Sequence, residues 1–420
     1  MKVLLLNQCF HPDVVSTAQH LSDLATELAA SGHQVTVVAS SRGYDDPRKR
    51  FPSRETWKGV DVRRIRCTGL GKKTRWRRAI DFASFLVSCL FRVITLPRFD
   101  LVVALTSPPL ISFLAALLVQ IRGGRFVFWV MDLNPDEAIA AGWLSKDSAL
   151  ARVLSSMLLY SLKRADKVIV LDAYVKQRIA GKGIAEEKLL VIPPWSHDGA
   201  IRYDEPGRAR FRAAHNLEDK YVVMYSGNHS PCHPLDTLLE AARALSGRRE
   251  IKFLFAGGGS EFEKVKCFAS IHNLDNVLCL PYQPMAELAG SLSAADLHVV
   301  VMGNAFVGIV HPCKIYNILS IGAPVLYIGP ENSHVTAIFE QMPRDGMSQS
   351  ATHGGVEAII RYILDGASGA PQMPDQRAPA PVALEFSKHA ILPRFIASLQ
   401  PVCDSSALYD SAVADSKVHN

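Results

Sequence analysis

The sequence predicts an α/β protein built as two Rossmann-like domains facing across a cleft. Three observations carry that expectation. A chain of 420 residues exceeds what one ordinary core holds. With 48% hydrophobic and 20% charged residues, it has enough apolar surface for two buried sheets. Continuous apolar runs alternate with helix-period segments in two successive series, the pattern of parallel strands covered on both faces.

In the first series KVLLLN, QVTVVAS, DLVVALT, FVFWVMD and KVIVLD read as strands. Between the first two, Leu21, Leu24, Leu28 and Ala29 recur at helical spacing, and Gly32 is placed to end that helix. Right-handed crossover of such a β-α-β unit makes the sheet parallel. YVVMYSG, IKFLFAGGG, NVLCL, LHVVVMG and PVLYIG form the second series, after a polar linker between Trp195 and Lys220. The domains are therefore expected at 1–195 and 196–382. Residues 366–381 are rich in Pro, Ala and Gly and read as loop. A last helix in 383–402, interrupted near Pro393, is free to pack back on the first domain, and 403–420 reads as a frayed tail.

The net charge of +6 is mild, but Arg63, Arg64, Arg66, Lys72, Lys73, Arg75, Arg77 and Arg78 cluster. Such a patch suits anionic lipid, nucleic acid or a phosphorylated substrate. In so weakly charged a chain, a nucleic-acid partner is not expected. The eight cysteines form no CxxC pair, and the first residues carry too short an apolar run for a signal peptide, so a reducing, cytoplasmic setting is expected. After the basic run, RAIDFASFLVSCLFRVITL carries a narrow polar stripe (Asp81, Ser84, Ser88, Arg92, Thr95) and is apolar elsewhere. More of its circumference is apolar than one sheet can cover. With Arg75, Arg77 and Arg78 before it, and Phe82 and Phe85 within it, the segment suits an in-plane contact with the inner face of a membrane. The competing account is that SFLAALLVQI covers the extra face.

The first strand-to-helix turn, CFHPDVVST, has no glycine, so the first domain lacks the usual phosphate cradle. The second domain offers three glycine turns or helix starts at strand carboxyl ends, where open α/β sheets bind ligands. One is the SGNH turn, with Ser226, Gly227, Asn228 and His229; another is FAGGGS, with Gly257 and Gly258. The most informative is HPCKIYNILSIGAPV, where a helix begins near Pro312 and Lys314 stands in its first turn. A helix N-terminus favours an anion, and a cation placed there against the dipole points to an anionic partner. His229, Cys232 and His233 lie in one loop and His311 and Cys313 in another, but HxxCH with HxC lacks the usual zinc spacing, so no metal site is expected.

Taken in order, HPDVVSTAQHLSDLATELAASGHQVTVV, WVMDLNPDEAIAAGWL, VIPPW, the YSGN turn, FAGGGS and PCKIYNILSIGAPV resemble the GT-B glycosyltransferases of family 4. The likeness is greatest to the bacterial branch that builds polysaccharides on lipid carriers, and it spans about residues 1–400. It implies that the second domain binds a nucleotide diphosphate sugar and the first an acceptor, lipid-linked or glycan. Lys314 would touch the donor diphosphate, and transfer would proceed with retention, moving a hexosyl or N-acetylhexosaminyl group. Asn317, Ser226, Gly227, Asn228, His229, Gly257, Gly258 and Tyr282 are the further donor candidates. Asp132 and Glu137, at the end of FVFWVMD, are candidates to hold an acceptor hydroxyl, with helix capping as the bland alternative. His11 and Ser16 are acceptor or cleft candidates. No DxD motif follows a strand, so no cofactor and no catalytic metal are expected. The family's paired glutamates fall here on Ile309 and Asn317, a departure that keeps a catalytically silent nucleotide-sugar-binding subunit open. A sugar-nucleotide 2-epimerase of the same fold is a third reading.

Overall fold

The computed structural model describes residues 1–44, 46–71, 74–196, 199, 201–343, 346–369 and 377–400. The first sheet is formed by β1 (Lys2–Leu6), β2 (Gln34–Ser40), β3 (Arg54–Trp57), β4 (Val60–Ile65), β5 (Leu101–Ala104), β6 (Arg125–Val130), β7 (Lys167–Val170) and β8 (Leu189–Val191). Its order is β3-β4-β2-β1-β5-β6-β7-β8, all parallel except that β3 runs against β4. Helices α1 (Ser16–Ala30), α2 (Arg75–Thr95), α3 (Ile111–Arg122), α4 (Asp136–Ala140), α5 (Ala149–Arg164) and α6 (Ala173–Ala180) connect its strands.

The second sheet holds β9 (Tyr221–Asn228), β10 (Ile251–Gly258), β11 (Val277–Leu280), β12 (Leu297–Val301), β13 (Val325–Ile328) and β14 (Ser348–Ala351). It is parallel throughout, in the order β11-β10-β9-β12-β13-β14. Its helices are α7 (Glu205–Ala214), α8 (Asp236–Ala244), α9 (Phe262–Ile271), α10 (Leu288–Ser293), α11 (Lys314–Ile321), α12 (His334–Phe339) and α13 (Val356–Ser368). Each sheet has an apolar core on both faces, which is why its strands read as unbroken hydrophobic runs.

The strands β3 and β4 escape a hydrophobic scan because they carry Arg54, Glu55, Asp61, Arg63 and Arg64 at the sheet edge. Two residues of the basic cluster therefore do not form a surface patch. Arg64 is 2% exposed, paired with Glu55 and with the carbonyl of His11, and Arg63 is held by Asp61 at 3.0 Å.

The helix α2 also departs from its sequence reading. The start of its polar stripe faces the loop before it, not solvent: Asp81 accepts from Leu70 N and Gly71 N at 3.0 Å, and Ser84 bonds Thr68, while Thr95 at the far end is exposed. Phe85, expected at a membrane, is fully buried with Cys89 and Val93 against α3 and the sheet, so the α3 segment does cover that face. Phe82 is half-buried beneath the Arg78 guanidinium. Trp76, Ile80, Val87, Leu90, Phe91 and Ile94 remain exposed. The side chain of Arg75 lies outside the described residues. Among the described residues, no helix is long and apolar enough to cross a membrane.

The last helix, α14 (Lys388–Leu399), runs unbroken through Pro393, contrary to the expected interruption. It returns to the first domain. Phe395 packs on Trp129 with centroids 4.3 Å apart and on Trp195 at 6.2 Å, and Lys167 Nζ donates to Ser398 O at 2.6 Å. Because Phe395 is fully enclosed, Phe395→Ala is expected to cost about 3–5 kcal/mol, read from denaturant unfolding followed by tryptophan fluorescence. The loss should appear in the first domain, where both tryptophans lie.

Candidate active site

The carboxyl ends of both sheets meet across one cleft. Leu133 N donates to Ile309 O at 3.1 Å, and Arg178 donates to Val307 O at 3.2 Å. Gly308 stands at φ 68°, and a Cβ there would lie 2.6 Å from Tyr174 O, so only glycine lets the two backbones approach this closely.

On the second-domain side, β9 and β10 end in glycine turns lying side by side. Gly257, at φ 140°, approaches Gly227 so closely that a Cβ would sit 2.0 Å from its carbonyl. The Tyr282 hydroxyl donates to Gly258 O at 3.2 Å, fixing the exposed ring beside this turn. Ser226 is half-buried and Asn228 is exposed at the end of β9.

Lys314 is the first residue of α11, which Gly322 ends in a left-handed turn. Its Nζ lies 3.6 Å above the Tyr225 ring and beside Gly227, buried and without a hydrogen-bond partner. Burial lowers its pKa to about 7. Two histidines share that ammonium's surroundings. His229 donates Nδ1–H to Gly227 O at 3.0 Å, and His233 donates to Val301 O at 2.7 Å. Burial first, and the Lys314 charge second, drive them down to about 4 and about 3. Both are therefore neutral at pH 7, and no carboxylate balances the lysine. A cation so enclosed is stabilised only when an anion enters. Asn317, one turn along α11, is half-buried, whereas Ile309 is 3% exposed within the first domain's core cluster.

On the first-domain side, Asp132 follows β6. Burial, then the neighbouring Glu137 charge, lift its pKa to about 7 against the opposing charge of Arg78. Glu137 lies in α4, accepts from Asn134 Nδ2 at 3.0 Å, and stands 3.8 Å from the Cys232 thiol of the second domain. The capping alternative fails for both: the residue before α4 is Pro135, and no side chain caps it. Asp136 instead pairs with Lys182 at 2.8 Å. Ser16 reaches the cleft too, near enough to the Cys313 thiol to lower its pKa against burial, while that thiol donates to His311 O at 3.3 Å. His11 does not join this group: its ring stacks on Trp57 at 4.2 Å, and Glu55, Arg64 and Lys58 are the charges around it.

Arg78 was expected at a membrane, but it turns inward. With Gln8, Arg42, Tyr44 and Asp81 it lines a narrow hollow at the carboxyl ends of β1, β2 and β4, and its charge acts on Asp132. Its Nε and the Oε1 of Gln8 are buried without partners. Its place in the first turn of α2 carried no signal of which way it faces.

Sequence reasoning missed one further cluster. Asp172, which caps α6 through Val175 N at 2.8 Å, receives His311 Nδ1 at 2.7 Å across the cleft. His311 Nε2 meets the Tyr316 hydroxyl at 2.7 Å, and His334 stacks on His311 at 3.8 Å. Burial works to raise the Asp172 pKa, but the His311 hydrogen bond and charge, His334 and the Val175 amide outweigh it and hold it at about 2.

Comparisons with known proteins agree with this geometry. Residues 17–195 match the family described as "Glycosyl transferase 4-like domain", and residues 207–328 match "Glycosyl transferases group 1". The chain is 23% identical over 384 residues to the "Putative colanic acid biosynthesis glycosyl transferase WcaI" of Escherichia coli K12, covering 86% of this chain and 91% of that protein. In fold it is similar to a sucrose-phosphate synthase from Thermosynechococcus elongatus, with a TM-score of 0.70 and 15% identity over 99% of this chain and 100% of the other. It is similar also to Anabaena HepE in complex with UDP-glucose, with a TM-score of 0.68 and 14% identity over 95% and 99%. With one family matched in each half, and the two halves closing on a shared cleft, the chain belongs to the GT-B glycosyltransferases of family 4.

Proposed function

We propose that this glycosyltransferase moves a hexosyl or N-acetylhexosaminyl group, with retention, from a nucleotide diphosphate sugar to a lipid-linked or polysaccharide acceptor. The observation that carries the donor side is the buried, unpaired ammonium of Lys314 above the Gly227 turn. A departing diphosphate gains negative charge, and a preplaced cation with turn amides stabilises it without a metal ion. The UDP-glucose complex of HepE supports a nucleotide sugar as the ligand class.

On the acceptor side, Asp132 with its raised pKa and Glu137 stand where a hydroxyl would be held or relieved of its proton. The hollow at Gln8 and Arg78 is the place for an anionic acceptor head, and it adjoins α2. The exposed row from Trp76 to Ile94 on that helix supports peripheral attachment to the inner membrane face. Polysaccharide biosynthesis in the cytoplasm is the setting this implies.

One observation favours a second reading, a catalytically silent binding subunit. Ile309, where the family carries a glutamate, is packed in the core and has no polar atom for the donor sugar. Turnover of radiolabelled nucleotide sugars with a lipid-linked acceptor separates the two: binding without any transfer would leave only the silent reading.

Lys314→Ala should weaken UDP binding by about 2–4 kcal/mol while leaving uridine affinity almost unchanged, measured by calorimetry. Free Lys314 titrates near 7, and a bound diphosphate raises that value, so binding takes up a proton above pH 7. UDP affinity should therefore fall as pH rises from 7 to 9 in the native protein, and Lys314→Ala should flatten that slope. Asp132→Asn and Glu137→Gln are expected to cut transfer by roughly 10²–10⁴-fold with donor affinity retained. Phe91→Ser combined with Ile94→Ser should release the protein from phosphatidylglycerol vesicles in a flotation assay, with UDP binding unaffected.

A further inference from the structure

We propose that the groove between α3 and α5 seats one acyl chain of an anionic phospholipid, so that the first domain holds a lipid molecule and not only a membrane surface. This deepens the peripheral attachment proposed above and rests on it. Helices α2, α3 and α5 form one layer, since Phe85, Cys89, Ala115, Leu158 and Leu162 share a single core on that face of the first sheet. Within the layer α3 packs between the other two. The exposed row of α2 is continued there by Ile121 of α3 and by Leu150 and Val153 of α5, all exposed. Apolar surface of that extent marks a site of contact with a partner or a membrane.

The groove decides what kind of partner. It holds about 490 Å³, within the roughly 300–1,000 Å³ of small-molecule clefts. Phe113 and Leu117 of α3 face Val153, Met157 and Tyr160 of α5 across it, and the Phe113 and Tyr160 rings meet edge to face at 5.4 Å. Its two hydroxyls are already engaged: Ser156 donates to Arg152 O at 2.9 Å, and Tyr160 donates to Gln120, which ties the two helices together. A peptide strand laid here would bury amides without partners, a cost that a hydrocarbon chain does not carry.

The charge fits the same partner. Neither α3 nor α5 contains an acidic residue, and Asp81, the one acid of α2, is taken up by the loop before it. Arg152 stands at the groove, and Lys163 and Arg164 are exposed further along α5; none of the three is ion-paired among the described residues. A free guanidinium beside an apolar groove matches the phosphodiester that ends an acyl chain. Unpaired cations on a face without acids favour an anionic leaflet over a neutral one.

The test titrates dioctanoyl phosphatidylglycerol, below its micelle concentration, into the full-length protein by calorimetry. One saturable equivalent per chain is expected, with dioctanoyl phosphatidylcholine about fivefold weaker and Arg152→Gln closing that gap. Val153→Glu, which sets a carboxylate in the groove, and Ser156→Trp, which fills it, should each weaken the lipid by about tenfold or more. Both positions are exposed, and unchanged UDP affinity verifies that the fold is kept. Should either variant fail to fold, Arg152→Gln still decides. No saturable uptake, or uptake equal in the native protein and the variants, would overturn the site. So would displacement of the phospholipid by farnesyl phosphate at lower concentration, which gives the groove to an isoprenoid chain. A native dimer that Ser156→Trp separates would overturn it too, giving the groove to a second copy. Phe91→Ser with Ile94→Ser should abolish vesicle flotation yet keep binding of the dispersed lipid, so failure of the groove and failure of membrane attachment read separately.

Discussion

The arrangement turns on one unsatisfied charge. Lys314 lies at the amino end of α11, over an aromatic face, with two neutral histidines behind it and no carboxylate in front. An ammonium in that position raises the energy of the empty protein, and the energy is recovered only when a polyanion arrives. The neighbouring backbone is shaped to the same end: the glycine turns of β9 and β10 draw together and leave their edges bare of side chains. The second domain is thus built around an anion, and the first supplies what meets it from the opposite side.

That opposition explains why the cleft mixes apolar and ionisable contacts. Ile309 fills an apolar gap against the first domain where the family carries a carboxylate, while Glu137, Cys232, Ser16 and Cys313 meet nearby. The cost of burying Asp132 beside Glu137 shows in its raised pKa, and Arg78 moderates it. An acid and a base of matched strength can arise from such a pair, since two close carboxylates separate in their titration.

Much of the fold could be read from the chain because parallel strands covered on both faces need unbroken apolar runs, and KVLLL, LVVA and LHVVV supply them. The edge strand β3 and its neighbour β4 could not be read this way. Near an edge, charged side chains are tolerated, and Arg63 and Arg64 resemble a basic surface until their pairing with Asp61 and Glu55 is seen. Lys314 was legible because a first-turn lysine violates a local rule. Arg78 and Phe85 were misassigned for one reason: a helical period gives the width of an apolar face but not which neighbour stands over it. The Asp172–His311 contact joins residues 139 positions apart in two domains, and no local pattern encodes such a meeting.

The return of α14 to the first domain has a mechanical consequence. The polypeptide crosses between the lobes twice, and the crossings run side by side where Ser196 and Ser387 form a bridge and Ser196 N donates to Phe386 O. Each crossing holds the other in place, so the backbone that enters the second lobe and the backbone that leaves it meet the first lobe at one shared edge.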